Sequence, residues 1–344
     1  GETVTGTPAH REYDLSSQAK FLPETWKGTW ALNLTQPWLG SGPGSFWVRY
    51  PAFRRPGVIL LERKHNTETD HPENELLEQW TDGGIVGLLL WLWLFGALLR
   101  HGWARLRRPE QEAQLLGAFV AVAAGVLAML FSSSSRYVVP GWLMYFSAGL
   151  LGVLCLRKAD PRDPVLACPL PLPGAWRAAL AVLVAAAAAA AGRAVVRGFT
   201  SDARLNYAIY YSKGGEWDKA LQEYGRMVPW TPAYVMGQYF TGNVLKDRDG
   251  PGDLELALAQ YRRVRELAPH YVQVHYQEGQ VLRKLGRKEE AIARFEAQAA
   301  LDPVWDQPWR QLAELYRETG RTEQAAEASR KLEQAQARWA AAAL

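Results

Sequence analysis

The chain has 344 residues, a net charge of +4 and a mean hydropathy of −0.20, which averages an apolar first half against a charged second half. This length favours two or three folded units rather than one. The charge is too small and too dispersed for a nucleic-acid-binding surface, so we expect no nucleic-acid partner. The two cysteines, Cys155 and Cys168, indicate no disulfide framework. The sequence opens at Gly1 in polar residues without a signal segment, and we expect it to be the C-terminal portion of a longer or processed protein.

Residues 1–82 contain no segment long and apolar enough to cross a membrane. A short amphipathic run begins at Pro23 and ends at Pro37, and a glycine-rich turn at 40–46 reads Gly-Ser-Gly-Pro-Gly-Ser-Phe. Connections of this length without regular structure are usually functional. We therefore predict an extramembrane loop domain over 1–82, with short helices.

A second polar motif, His-Pro-Glu-Asn-Glu-Leu-Leu, occupies 71–77. Proline suits the first turn of a helix, so we predict a helix that begins at Pro72 with Thr69 or Asp70 as its cap. The helical repeat then places three polar side chains near one face: His71, Glu75 and Glu78.

Four apolar segments follow, at about 83–99, 113–131, 138–156 and 175–191. Each approaches the ~20 residues that cross the hydrocarbon of a bilayer, so we predict four transmembrane helices within 83–192. The first and third connections are rich in arginine, and the positive-inside rule then puts residues 1–82 and everything after 192 on the outer side. The seven alanines at 185–191 make the fourth segment only marginally apolar; if it does not span, the C-terminal half is cytoplasmic.

An internal repeat occupies 199–344. Glycines recur at intervals of 37, 34 and 34 residues, and each is followed five residues later by alanine: Gly215, Gly252, Gly286 and Gly320, then Ala220, Ala257, Ala291 and Ala325. An aromatic residue comes four positions further on in the first three copies: Tyr224, Tyr261 and Phe295. This pattern is typical of tetratricopeptide (TPR) repeats and predicts a solenoid of about four helix pairs, with a final capping helix and a concave binding face. The predicted fold class is therefore all-α, with polytopic transmembrane helices between the loop domain and the solenoid.

Three glycine and histidine elements occur in a fixed order: Gly42 to Phe46, His71 to Leu77, and Gly84 to Gly87. This order, over roughly residues 20 to 160, resembles the O-antigen ligase and polymerase family, the Wzy/WaaL-like membrane glycosyltransferases. The resemblance implies transfer of a glycan from a polyprenyl-diphosphate carrier to an acceptor hydroxyl, without cofactor or metal. It also implies a multi-pass protein of the bacterial inner membrane, in contact with lipid, whose loop domain and TPR solenoid face the periplasm.

The resemblance makes His71 the expected general base, a role that suits an imidazole with a pKa near the working pH. Asn74 and Glu75 would orient the ring or contact sugar hydroxyls. Many relatives carry a second histidine where this chain has Glu73, so either position 71 or position 73 matches the catalytic histidine. The alternative is that His71 is a polar residue flanking a helix and that Asn74 and Glu75 cap its first turn.

Glycan transfer of this kind also requires a group that binds the diphosphate leaving group. Arginine is suited to this role, because a guanidinium binds a diphosphate in a fixed geometry. Arg49, Arg54 and Arg55 are the candidates, with a solvated basic loop near anionic lipid headgroups as the alternative. Relatives usually carry an arginine shortly before the tryptophan that aligns with Trp26, and this chain has none there. The phosphate-binding arginines could therefore lie in N-terminal helices outside this sequence. The spacing of His65, Asp70, His71 and Glu75 fits no recognised metal site.

Two functions from different classes remain open. The leading hypothesis is a lipid-linked glycan ligase or polymerase, of which this chain is one part. The alternative is a non-catalytic TPR membrane scaffold for a polysaccharide or secretion assembly, and a transporter is a more distant third. In each case we expect a protein partner on the concave face of the solenoid, lined by aromatic and amide groups: Asn206, Tyr210, Asn243, Tyr276 and Trp309.

Overall fold

The computed structural model describes residues 15–62, 64–65, 69–107, 113–132, 138–156, 173–229, 231–271 and 273–342. Within these ranges every regular element is helical and no strand occurs, which confirms the all-α prediction. The loop region holds α1 (Leu15–Asn33), α2 (Phe46–Arg49), a 3-10 turn (Tyr50–Ala52) and α3 (Pro56–Glu62). The apolar region holds α4 (Glu75–Leu106), α5 (Ala113–Ala128), α6 (Val138–Leu156) and the start of α7 (Gly174–Lys213). The repeat region continues with α8 (Trp217–Gly225), α9 (Pro232–Arg248), α10 (Asp253–Leu267), α11 (Val274–Lys284), α12 (Lys288–Leu301), α13 (Asp306–Glu318) and α14 (Thr322–Ala341).

Helices α4, α5 and α6 pack around a shared apolar core that includes Trp91, Phe95, Leu115, Val122 and Leu151. Their outer faces are apolar as well, and they leave Leu89, Trp93 and Phe146 more than half exposed. A helix that is apolar all round needs an apolar environment on every side. Among the described residues, α4 and α7 are long and apolar enough to cross a membrane, whereas α5 and the apolar stretch of α6 are shorter.

The predicted fourth span and the predicted solenoid are not separate elements. Helix α7 runs for 40 residues without interruption, so it is about 60 Å long. Its apolar part is unburied, with Leu183 and Phe199 65% and 74% exposed. Its C-terminal part packs against α8 and forms the first helix of the repeat region. The apolar segment and the solenoid therefore share one continuous helix.

The repeat region is a stack of four helix pairs: α7 with α8, α9 with α10, α11 with α12, and α13 with α14. The four repeating glycines all lie in the left-handed region, with φ between 73° and 80°, at the turn or cap that opens the second helix of each pair. The alanines and aromatic residues that follow them are buried. Two of these aromatic rings cover a glycine of the partner helix, where a Cβ would lie 2.6 Å from Tyr261 at Gly242 and 2.8 Å from Phe295 at Gly279. Large-on-small packing of this kind stabilises these two pairs, α9 with α10 and α11 with α12.

Candidate functional site

The helix of the histidine motif begins later than the sequence predicts. Helix α4 starts at Glu75, and its N-cap is Asn74, whose side-chain oxygen accepts a hydrogen bond from the Leu77 N–H at 3.1 Å. The predicted start at Pro72, capped by Thr69 or Asp70, is therefore wrong. The physical reason is Glu73, whose φ of 52° is incompatible with a right-handed helix. The Asn74 amide also donates to the Leu130 carbonyl at 2.8 Å, so this residue ties the helix start to the end of α5.

His71 precedes α4 and reaches Glu78, one turn inside it. The His71 Nδ1 lies 2.7 Å from Glu78 Oε1. The Glu78 side chain is fully buried, whereas that of His71 is 29% exposed. When Nδ1–H donates to this carboxylate, the tautomer is fixed and the lone pair of Nε2 becomes the proton acceptor. A histidine held by a buried carboxylate, with one edge toward solvent, has the geometry of a general base.

The three predicted catalytic residues make hydrogen bonds to different partners. Asn74 is occupied as the helix cap, and Glu75 accepts a hydrogen bond from Gln79 Nε2 at 2.8 Å. The backbone N–H of Glu75 donates to Met129 at 2.9 Å. The partner of His71 is thus Glu78, which the sequence places on the same helix face but does not single out.

The glycine turn crosses α4 at a break in that helix. Gly84 has φ 66° and ψ −170°, which interrupts the helical hydrogen bonds. Residues 37–42 take over the released groups: Ile85 and Val86 donate to the carbonyls of Pro37 and Trp38, while the carbonyls of Thr81 and Asp82 accept from Ser41 and Gly42, all at 2.7–3.3 Å. These four backbone groups of α4 are therefore paired with the crossing segment.

Only glycine fits at this crossing. A Cβ on Gly84 would lie 2.1 Å from the Trp38 carbonyl oxygen, and one on Gly40 would lie 2.5 Å from the Gly84 nitrogen. The turn is also anchored from α4, because Gly44 N–H donates to Asp82 Oδ1 at 3.2 Å. The glycine turn and the Gly84 to Gly87 element, which are separate motifs in the sequence, therefore belong to one tertiary contact.

The three candidate arginines point to three different places. Arg49 lies beside the glycine turn, with Nη1 2.5 Å from Ser41 Oγ and 2.8 Å from Gln36 Oε1. Arg55 Nε donates to Glu24 Oε2 at 2.8 Å, and this bond, after that of Lys27, lowers the pKa of Glu24. Arg54 faces the solenoid, 4.0 Å from Asp302 Oδ2. The structure does not bring them together as one anion site.

The loop region contacts the solenoid, a feature that the sequence did not predict. His65 Nδ1 lies 2.9 Å from Asp302 Oδ2, although 237 positions separate the two residues. The His65 ring stacks on two indole rings, with centroids 5.5 Å from Trp305 and 4.2 Å from Trp339. Nearby, Trp47 of α2 packs edge-on against Tyr271 at 6.4 Å. Contacts across such a sequence distance leave no local pattern, so no signal in the sequence could have found them.

Some of the residues predicted to line the concave face are instead buried in the solenoid or hydrogen-bonded within it. Tyr276 is 8% exposed and belongs to the core, and Asn243 accepts a hydrogen bond from Tyr261 at 2.7 Å. Trp309 donates to the Pro303 carbonyl at 3.2 Å. Asn206 and Tyr210 remain exposed on α7.

A polar surface connects the first helices of successive pairs. Lys246 Nζ lies 2.6 Å from Gln277 Oε1, and Arg283 Nη1 lies 2.6 Å and 2.7 Å from Gln311 Oε1 and Glu314 Oε2. We call this surface the first-helix face; its residues are Lys246, Gln277, Gln280, Arg283, Gln311 and Glu314. Among the described residues, no three His, Cys, Asp or Glu side chains are arranged to hold a metal ion.

Comparison with known proteins identifies the repeat class. Residues 272–304, which include α11 and α12, match the tetratricopeptide repeat family. The chain therefore carries a TPR repeat, and repeats of this class form extended surfaces that bind proteins. The solved structure of MamA AMB-1 is 27% identical over 39% of this chain and 72% of its own, with a TM-score of 0.35. A mutant of MamA gives 27% identity over 39% and 71%, with a TM-score of 0.34. No curated protein gives a significant match.

Proposed function

We propose that this protein is a membrane-anchored interaction scaffold whose solenoid binds a protein partner on the first-helix face. The observation that carries the proposal is the four-pair TPR stack. Its first helix is the C-terminal part of α7, and the N-terminal part of the same helix is apolar and unburied. Stacked helix pairs present a long surface of fixed spacing, which suits an extended peptide or a partner helix. The α7 segment supplies the anchor, because an exposed apolar helix of this length is stable in lipid.

We further propose four spans, with the loop region and the solenoid both on the periplasmic side of a bacterial inner membrane. The arginine-rich connections after α4 and α6 favour this orientation. The contact between His65 and Asp302 supports it independently, since the loop region and the solenoid can touch only on one side of a bilayer. The two regions lie on the same side of the bilayer only if the chain between residues 75 and 200 crosses it an even number of times, and four spans meet this condition.

The first-helix face offers amides and both signs of charge. Lys246 is largely enclosed, and burial lowers the pKa of its amine. Arg283 is shared between Gln311 and the carboxylates of Glu314 and Glu318, the last at 2.9 Å. A partner with a polar backbone or carboxamide side chains could replace these intramolecular bonds one for one. A wrong partner that breaks these bonds without replacing them would leave Lys246 or Arg283 without a hydrogen-bond acceptor. This penalty would give the surface its specificity.

Site-specific photocrosslinking in native membranes tests this function. A photoreactive phenylalanine replaces Gln280 on the first-helix face, and a matched variant carries it at the exposed Ala293 on α12. We expect a defined protein adduct from position 280 and none from position 293. Equal adducts from both positions, or lipid adducts alone, would contradict the proposal.

A second candidate function is glycan transfer from a polyprenyl-diphosphate carrier to an acceptor hydroxyl. The pairing of His71 with the buried Glu78, beside the glycine crossing, is the observation that favours it. His71 would take the proton of the attacking hydroxyl through Nε2, and Glu78 would hold the ring and stabilise the imidazolium. Arg49 lies nearest to the glycine turn and is the candidate for the diphosphate. On this proposal the solenoid brings the acceptor or another assembly component to the loop region.

An in vitro transfer assay with a polyprenyl-diphosphate donor, using the full-length protein, tests this second function. His71→Ala removes the base and should lower the rate by about 10²–10⁴-fold. Glu78→Gln keeps the size of the partner and should lower it less. Glu73→Ala is the companion variant, because this position aligns with the second histidine of many relatives, and it should be milder still. Wild-type turnover by His71→Ala would exclude this role.

A further inference from the structure

Three arginines lie on one side of α7 where its apolar segment ends. Arg193, Arg197 and Arg204 follow one another at intervals of four and seven residues. Because an α-helix turns by about 100° per residue, the three lie within about 40° of one another around the helix axis. Asp202, the one acidic residue of α7, lies on the opposite side of the helix. The helix therefore presents a basic stripe.

The stripe lies at the depth of the lipid headgroups when α7 is anchored in a bilayer. Val195 and Val196 are the last residues of the apolar segment. With a rise of 1.5 Å per residue, Arg197 lies about 2 Å beyond Val196 and Arg204 about 12 Å beyond it. The headgroup layer is about 5–7 Å thick on each side of the hydrocarbon. The Cα–Cβ bonds of a helix tilt toward its N-terminus, which for α7 is the bilayer side, so Arg204 leans back toward the headgroups.

Helix α8 adds a fourth arginine and forms a cleft against the stripe. Arg226 is the C-cap of α8, and Glu223 lies between its guanidinium and that of Arg204. The Glu223 Oε1 is 2.9 Å from Arg226 Nη1, and its Oε2 is 3.5 Å from Arg204 Nη1. A cavity of about 430 Å³, which we call the α7–α8 cleft, is lined by Thr200, Arg204, Tyr207, Tyr211, Glu223 and Arg226.

This cleft is positively charged and has more donors than acceptors among its charged groups. Each guanidinium presents five N–H groups, whereas the one carboxylate accepts about four hydrogen bonds. With the two arginines that precede the cleft on the stripe, four guanidiniums against one carboxylate leave a net charge of +3. The side chains of Arg204 and Arg226 are 32% and 52% exposed, so a ligand can reach both. A ligand that fits this cleft carries negative charge and hydrogen-bond acceptors.

We propose that the α7–α8 cleft binds the phosphodiester headgroup of an anionic phospholipid from the leaflet on the side of the solenoid. A guanidinium pairs with phosphate oxygens in a bidentate geometry, and basic residues at this depth attract anionic lipids. The acyl chains of such a lipid stay in the bilayer beside the apolar part of α7. The bound lipid holds the first helix pair of the solenoid close to the membrane surface. The inference goes beyond the proposed scaffold function and rests on it only for the insertion of α7 into a bilayer.

Native mass spectrometry of the full chain in detergent tests this site with two lipids of identical acyl chains, dioleoylphosphatidylglycerol and dioleoylphosphatidylcholine. We expect the wild-type chain to bind the anionic lipid about 10-fold more tightly than the zwitterionic one. Arg204→Gln and Arg226→Gln each remove one guanidinium and should lower the affinity for phosphatidylglycerol by about fivefold. Glu223→Gln should raise this affinity, because it removes the carboxylate that competes with the lipid.

Arg263→Gln and Glu266→Gln are the matched controls. These residues form a similar pair on α10, three positions apart at 2.8 Å, and the Arg263 side chain is 51% exposed. Neither control should change the affinity for either lipid, and circular dichroism establishes that each variant keeps its helix content. Equal binding of the two lipids by the wild-type chain, or equal effects of Arg226→Gln and Arg263→Gln, would overturn the proposal. Displacement of phosphatidylglycerol by millimolar inorganic phosphate would overturn the assignment to a lipid.

Flotation of the full chain with phosphatidylcholine vesicles measures membrane insertion separately. A chain that floats without a preference for phosphatidylglycerol refutes the lipid site and leaves the membrane anchor intact. A chain that does not float refutes both. Neither measurement includes a protein partner, so failure of the scaffold function is distinguishable from failure of the lipid site.

Discussion

The crossing of the glycine turn over α4 gives the sharpest test of the loop region. Gly84→Ala places a methyl group 2.1 Å from the Trp38 carbonyl oxygen, at a φ of 66°. The combination of φ 66° and ψ −170° is essentially confined to glycine, and it costs alanine about 1–3 kcal/mol. The steric conflict also forces the crossing apart, and each of its four backbone hydrogen bonds contributes about 0.5–1.5 kcal/mol. If two of the four are lost, the two terms add to about 2–6 kcal/mol, with a middle value of about 4 kcal/mol.

Hydrogen exchange of the full chain in detergent measures this loss locally. A decrease of about 4 kcal/mol in the free energy of opening corresponds to exchange that is faster by about a thousandfold, here expected over residues 37–44. Gly83→Ala is the matched control, because its Cβ has no atom within 4 Å and its φ is not positive. The control should alter local stability by less than about 1 kcal/mol. Wild-type exchange over 37–44 in Gly84→Ala would refute the reasoning about the crossing.

Two further predictions concern the solenoid and the topology. Burial lowers the pKa of His275 from 6.5 to about 4, so its neutral form stabilises the fold fully above pH 6.5, and this stability is lost as the pH falls toward 4. The contribution is at most about 3 kcal/mol, and thermal unfolding should show a smaller loss of stability over this range in His275→Gln than in the wild type; equal losses would contradict it. For the topology, single cysteines at the exposed positions Ala52 and Glu327, in a background without the native cysteines, should both react with an impermeant reagent from the periplasmic side. Reaction of only one of them before permeabilisation would exclude the four-span arrangement.

The repeat region was predictable because its signals are local and periodic. Glycine spacing predicted the four turns, and all four glycines adopt positive φ. The extra three residues in the second unit fall at 247–252, where Asp249 ends α9 in the left-handed conformation and Arg248 binds Asp253 at 2.7 Å. Short-range chemistry of this kind can be read directly from the chain.

The helix boundaries were less predictable, because competing signals of similar strength decide them. A proline at 72 is a good helix start, yet the left-handed Glu73 postpones the helix to Glu75. The predicted transmembrane region ends at 192 and the predicted solenoid begins at 199, but the glycines at this junction, Gly192 and Gly198, each cost a helix only about 1 kcal/mol. Helix α7 therefore continues through both of them.

The contacts that define the site depend on tertiary structure. The sequence singled out the glycine turn, the Gly84 entry and His71 separately, but their meeting through α4 follows from the fold. Glu78 was expected on the face of His71, and the hydrogen bond of 2.7 Å between them makes Glu78 a partner of this histidine. Arg54 was predicted to bind an anion, and its guanidinium lies 4.0 Å from Asp302 of the solenoid. Whether the arginines bind a diphosphate stays a prediction.

The central claim is that the solenoid is a protein-binding module with its binding surface on the first-helix face. The most direct test is the dissociation constant between the full chain in nanodiscs and the protein captured at position 280. Gln280→Trp puts a bulky ring in the middle of that face, and Ala293→Trp makes a comparable addition on α12. We expect Gln280→Trp to weaken binding by about 10-fold or more, a loss of roughly 1.4 kcal/mol, and Ala293→Trp to leave the dissociation constant unchanged. Equal affinities in the two variants, with intact helix content, would contradict the claim.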